Sequence, residues 1–217
     1  MNTAAVKLDT KQRILDSAER LFAEYGFAGT SLRSIIADAQ VNLAAIHYHY
    51  RSKEALFDAV ILRRLEPINR ERLELLDACE RSGQPALEQI LEAFLSPAFR
   101  IGFDPNGQMF VRLVARIFTE EMSVFSHVIK RHFSVVLERF TRALQAAVPE
   151  LELSEVLWRM LFMAGAMGHA LRSCGQNLEA LHGGLCDTSD FEGALRRLVS
   201  FSAAGFRAPV PSGVKHV

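Results

Sequence analysis

Residues Thr30 to Leu56 read TSLRSIIADAQVNLAAIHYHYRSKEAL. Thr30 and Ser31 are N-cap residues, and Leu32, Ile35 and Ile36 behind them give the inward face of a short helix. Ala39-Gln40-Val41 leaves room only for a tight turn. Asn42 then caps a third helix running to about Tyr48, and Ser52 caps a fourth that carries Leu56, Phe57, Val60, Ile61 and Leu65. Two short helices joined by so tight a turn make a helix-turn-helix, whose second helix is the one presented outward. On that helix Ala44 and Ala45 are small enough for close approach. Asn42, His47, Tyr48 and His49 supply polar groups. Ile35, Ile36, Val41 and Ile46 are expected to be core.

Upstream, Asp9 and Gln12 form a capping box, and Ile14, Ala18, Leu21, Phe22 and Tyr25 follow at helical spacing until Gly26 stops the helix. Downstream, Pro67 is expected to kink or end the fourth helix. Ser82-Gly83-Gln84-Pro85 is a turn, and helices are expected over 86–97, 107–120, 123–147, 154–173 and 189–206. Pro97 to Gln108 reads as a loop, as does Ser173 to Ser189. The fold class is therefore all-α.

The 217 residues are 49% hydrophobic, which suffices for a packed core, and their formal net charge is zero. Any attraction for nucleic acid must come from local patches and helix ends. Cys79, Cys174 and Cys186 have no disulfide-like spacing, Met1 to Thr10 lacks an apolar signal core, and Arg159 and His169 interrupt the most apolar run. A cytoplasmic protein without a membrane span is expected.

The stretch quoted first resembles the DNA-binding domain of TetR-family regulators, whose pattern runs T-(S/T)-x-R-x-I-A-x-x-A-G-V-S-x-x-x-(L/I)-Y-x-(H/Y)-F-x-S-K-E-x-L. The resemblance implies a three-helix DNA-binding domain over residues 1–54, a helical dimerisation and effector-binding domain over 55–208, and a flexible tail over 209–217. It also implies a homodimer that grips a palindromic double-stranded operator and is released by a small apolar or amphipathic effector, without a cofactor. By position, Thr30 and Ser31 would meet a phosphate, and Arg33 would reach a base edge. Asn42, Leu43, Ala44, Ala45, His47, Tyr48 and His49 would form the recognition helix, and Lys53 would hold a phosphate. The family's turn glycine is Gln40 here, and His47 replaces its first tyrosine.

In the C-terminal half, the helix over 154–173 is apolar nearly all round, with Ala164, Gly165 and Gly168 allowing another helix to come close. By the same resemblance, it and the last helix pair with their symmetry mates. The segment LWRMLFMAGAMGHAL further resembles a TetR subgroup that includes fatty-acid-responsive regulators. Phe94, Phe110, Leu113, Ile117, Phe118, Phe133 and Met163 are candidate walls of an effector pocket, and His169, Arg112, Arg116, His132 and Arg172 are candidate polar anchors.

No phosphate loop, nucleophile elbow or His-Glu-x-x-His run is present. His169, Cys174, His182 and Cys186 cluster in sequence at spacings that fit no common zinc pattern, so no metal is expected. The rival readings are a DNA-binding protein without an effector and a helical thiol enzyme using Cys174.

Overall fold

The computed structural model describes residues 3–104, 107–117, 126–127, 130–173, 183 and 185–213, and the side chains of 3–9 and 115–117 are not described. Every regular element among them is a helix: α1 Thr3–Gly29, α2 Leu32–Ala39, α3 Leu43–His49, α4 Lys53–Arg81, α5 Leu87–Phe103, α6 Gln108–Ile117, α7 Ser134–Ala147, α8 Leu153–Ser173 and α9 Phe191–Arg207. The chain divides into two compact units, Met1–Pro67 with Met109–His132, and Ile68–Gln108 with Phe133–Val217. The boundary expected at 54/55 falls inside the first.

In the first unit α1 packs against α2 and α3. Ile14, Ala18 and Phe22 are fully buried, as the apolar stripe of α1 predicts. The rings of Phe22, Phe27 and Phe57 meet at centroid distances of 5.0–6.0 Å. The Glu19 carboxylate is almost wholly buried and is gripped by both Arg63 and Arg64. Arg63 also reaches Asp16 at 2.6 Å. Removing Glu19 would take one of the two carboxylates that Arg63 holds and release Arg64 from α1, a cost on the order of 1.5–3 kcal/mol for the lost charge-assisted hydrogen bonds.

Four helix boundaries differ from the sequence reading. The first helix starts at Thr3 rather than at the Asp9 capping box, and Gly26 bends it rather than ending it. Gly26 has φ 77, a conformation that glycine adopts without a Cβ clash, and the chain resumes helix to Gly29. Both helix-interior prolines are accommodated, Pro67 within α4 and Pro97 within α5. Proline removes one hydrogen bond from the ladder, but Phe94, Leu95 and Phe99 around Pro97 are buried, and their packing outweighs that loss. The loop expected from Pro97 therefore begins only after Phe103. Within the helix expected over 123–147, residues 126–127 and 130–132 are helical, a turn at Phe133 interrupts the run, and the helix resumes at Ser134 with Phe133 as its N-cap.

In the second unit α5 is the central element, packed on α9, α7 and α8. Phe94 meets Phe140 edge-on at 5.1 Å, and Phe103 meets Phe191 at 4.9 Å. Arg159, which interrupts the apolar run of α8, is turned inward. Its Nη1 donates to the carbonyls of Gly205 and Phe206 at 2.9 and 2.7 Å, and its Nη2 lies 3.5 Å from Glu155. It thereby satisfies orphan carbonyls at the end of α9, where the helix dipole favours a cation. Among the described residues no helix is long and apolar enough to cross a membrane.

Candidate nucleic-acid interface

The turn between α2 and α3 sets the geometry of the site. Ser31 and Ser34 cap α2 reciprocally: Ser34 N–H donates to Ser31 Oγ at 3.0 Å, and Ser31 N–H donates to Ser34 Oγ at 3.1 Å. The helix ends at Gln40, which is left-handed at φ 52. The Gln40 N–H donates to Ala37 O at 3.3 Å, and the Val41 N–H donates to Ile36 O at 3.2 Å. This is the crossed pairing that closes helices at a left-handed residue, usually glycine. With a Cβ present the conformation costs about 1–2 kcal/mol. Arg13 offsets part of that cost by donating to the carbonyls of Ala39 and Gln40 at 2.6 and 2.9 Å. Arg20 of α1 pairs with Asp38 of α2 and ties the same turn down.

Asn42 Oδ1 accepts from the Ala45 N–H at 2.9 Å and caps α3. Ile46 and Tyr50 anchor α3 inward, at 0% and 6% exposed. Burial lifts the Tyr50 phenol to about 12, so it stays neutral, and its hydroxyl lies 3.5 Å from Lys11 O. The opposite face is open: Leu43 is 52% exposed, Tyr48 is 68% exposed, and Asn42, Ala44 and His47 are exposed as well. Ala45 and His49 are half-buried, and Arg33 and Ser31 on α2 are exposed. Ile36 and Val41, expected in the core, are only half-buried.

Two candidate contacts are placed otherwise than the sequence implied. Thr30 is buried, and its single O–H is shared between the carbonyls of Gly26 and Leu21, 2.7 and 3.0 Å from the hydroxyl oxygen. It closes the end of α1 instead of facing a phosphate. Lys53 Nζ donates to the carbonyls of Phe27 and Thr30 at 2.9 and 3.0 Å and lies 4.4 Å from the centre of the Phe27 ring. Two of its three N–H bonds are thus committed within the chain. Arg51, at φ 62, is a second left-handed residue just after α3 that the sequence did not signal.

The effector candidates are divided between the units. Phe94 and Met163 sit in the core of the second unit, and Phe133 is half-buried there. Phe110 and Leu113 are buried but belong to the first unit. The Ile117 side chain and Phe118 lie outside the described residues. His169, Arg112 and Arg172 are exposed and are not inward anchors, while His132 lies 3.5 Å from Asp58. Cys174, His182 and the Arg116 side chain lie outside the described residues, and Cys186 is exposed. Beside Arg159, a second inward cation of that unit is Arg72, 2% exposed, which sequence reading passed over inside the charged run of α4. One signal was present: Arg72 falls on the stripe of Ile68 and Leu76, both buried, at helical spacing.

The comparisons with known proteins cover both halves of the chain. A family model described as "Bacterial regulatory proteins, tetR family" matches residues 14–60. Another, described as "Tetracyclin repressor-like, C-terminal domain", matches residues 92–205. The HTH-type transcriptional regulator YttP of Bacillus subtilis is 30% identical over 145 residues, covering 67% of this chain and 66% of that protein. The match thus spans just under two thirds of that relative's length. A tetR family transcription regulator from Shewanella sp. PV-4 superposes with a TM-score of 0.58 at 25% identity, over 91% of this chain and 95% of that one. The fatty acid degradation regulator FadR from Bacillus halodurans shares the fold, with a TM-score of 0.64 at 12% identity over 92% and 97% of the two chains. The two family models run through the left-handed turn, the capped α3 and most of the helical C-terminal half, and the chain belongs to the tetR family of bacterial regulatory proteins.

Proposed function

We propose that the chain is a homodimeric, sequence-specific DNA-binding regulator, a repressor that leaves its palindromic operator when a small apolar or amphipathic effector binds. The observation that carries this reading is the two-sided character of α3. Ile46 and Tyr50 hold one face, and Leu43, Ala44, His47 and Tyr48 leave the other open. A short helix with a small and polar outer face suits the major groove, where an Arg33 fork on a guanine edge contributes about 1–3 kcal/mol of discrimination. Ser31, Asn42, Ala45 and His49 complete the proposed contact set, and Lys53 retains one N–H for a phosphate.

Pairing of two copies is supported by α8. Leu157, Trp158, Leu161 and Phe162 are 48–65% exposed along one side of that helix. A Cβ added at Gly165 would meet nothing within 4 Å. A contiguous apolar strip of this kind marks a surface that another protein covers. Phe201 on α9 is likewise 71% exposed. A two-fold pair would set two α3 helices roughly 34–36 Å apart, one turn of duplex. A protein of this class acts in the cytoplasm.

The test is a titration of duplex recovered by selection from random sequence, read by fluorescence anisotropy. Replacing Arg33 and Tyr48 together by alanine is expected to weaken binding about 10- to 100-fold with the circular dichroism unchanged. These two side chains are chosen over Lys53, whose loss would also uncap α1. Equal affinity of variant and parent would overturn the reading.

A further inference from the structure

We infer that the effector is an apolar monocarboxylate whose head group is held by Arg72 inside the second unit; the inference rests on the effector-responsive reading above. Arg72 is among the largest fully buried side chains of the protein. Buried charges are as a rule paired, because desolvating one costs several kcal/mol. Yet no carboxylate among the described residues pairs with Arg72. Its Nε donates to Phe94 O at 2.7 Å, its Nη1 donates to Asn69 Oδ1 at 3.1 Å, and its Nη2 lies 4.0 Å from Met167 Sδ. Among the described residues, five N–H donors thus meet two oxygen acceptors and a distant thioether, a poor acceptor.

Acids are close by in sequence but are engaged elsewhere. Glu71 pairs with Arg100, and Glu74 lies 4.0 Å from Arg70. Arg159, the other buried arginine of this unit, has both Glu155 and two backbone carbonyls. Among the described residues, Arg72 is the one of the two without a carboxylate partner. Burial draws its guanidinium down to about 9, and it remains a cation at neutral pH.

The surroundings define the ligand. The guanidinium lies 4.3 Å from the centre of the Phe94 ring and 5.8 Å from that of Phe133. With Met167 these make an apolar, polarisable wall suited to a hydrocarbon or aromatic body. A planar fork of N–H bonds matches the two oxygens of a carboxylate. Arg72 supplies one positive charge, which balances a monoanion and leaves a phosphate dianion half-neutralised. An entering carboxylate would take the places of the Met167 sulfur and Asn69 at Nη2 and Nη1. Methionine is flexible enough to yield.

The test compares hexanoate, decanoate and 2-naphthoate with their matched primary alcohols, read as the thermal midpoint of the full chain. At least one carboxylate at saturating concentration is expected to raise the midpoint of the parent by about 5 °C, with its alcohol far less effective. In Arg72→Met that carboxylate should lose about 30-fold or more in affinity while the alcohol's response is unchanged. Arg72→Lys keeps the charge but not the fork and should fall between them; it carries the comparison if the methionine variant does not fold. No carboxylate outperforming its alcohol, or an undiminished response in both variants, would overturn the inference. Operator binding of the same proteins is measured in parallel. A parent that binds no DNA overturns the regulator reading whatever the ligands do. A parent that binds DNA but ignores carboxylates overturns only the anchor.

Discussion

Gln40 and Arg13 show how one residue's conformation governs the interface. Gln40 holds a left-handed conformation natural to glycine, and Arg13 clamps the carbonyls on either side of the bend. Gln40→Gly should therefore raise stability by about 0.5–1 kcal/mol, after glycine's own entropic cost, and leave operator affinity within twofold. Chemical denaturation would show it, and a destabilised glycine variant would mean that the turn is not strained. Arg13→Ala should act the other way, costing about 1.5–3 kcal/mol through two lost charge-assisted hydrogen bonds. At this scale the sequence was legible where spacing leaves no choice. Three residues between two helices force a tight turn, whereas the left-handed conformation of Gln40 is seen only in the folded chain. It was illegible where direction matters. Thr30 and Lys53 are the residue types that meet phosphates, but their side chains satisfy the end of α1, and no pattern in one sequence says which way a hydroxyl or ammonium turns.

Among the elements, α5 and α8 are the instructive cases. Pro97 and Gly102 suggested a loop, but the buried stripe through Phe94, Leu95 and Phe99 keeps α5 helical to Phe103. Tertiary packing overrode a local breaker, which single-sequence propensity does not contain. For α8, the apolar residues all round the helix were legible as two buried sides. Val156, Met160 and Met163 face the core, whereas Leu157, Trp158, Leu161 and Phe162 face outward. The double substitution Trp158→Glu, Phe162→Glu puts two charges on that outer strip, and the proposed homodimer reading predicts that it sediments as a monomer where the parent sediments as a dimer. Helical content should not change. Operator affinity should fall steeply, since one recognition helix has fewer contacts than two. A variant that sediments as the parent does would place the interface elsewhere.

For the whole molecule, the family assignment was readable from the dense motif over Thr30 to Leu56, because a helix-turn-helix fixes many residue types at fixed spacing. The effector chemistry was not readable. Three of the five polar anchors that sequence pointed to, His169, Arg112 and Arg172, lie on the surface, and the cation on which the effector inference rests, Arg72, is concealed in a run of charges on α4. Burial of a charge is a property of the folded chain. The regulator account stands or falls on whether two copies of α3 read one duplex. Selection of bound sites from random double-stranded DNA by the purified full chain tests this most directly. The account predicts an enriched inverted repeat whose half-site centres lie about 10 base pairs, or whole helical turns, apart. Recovery of no enriched sequence, or of single unpaired sites only, would contradict it.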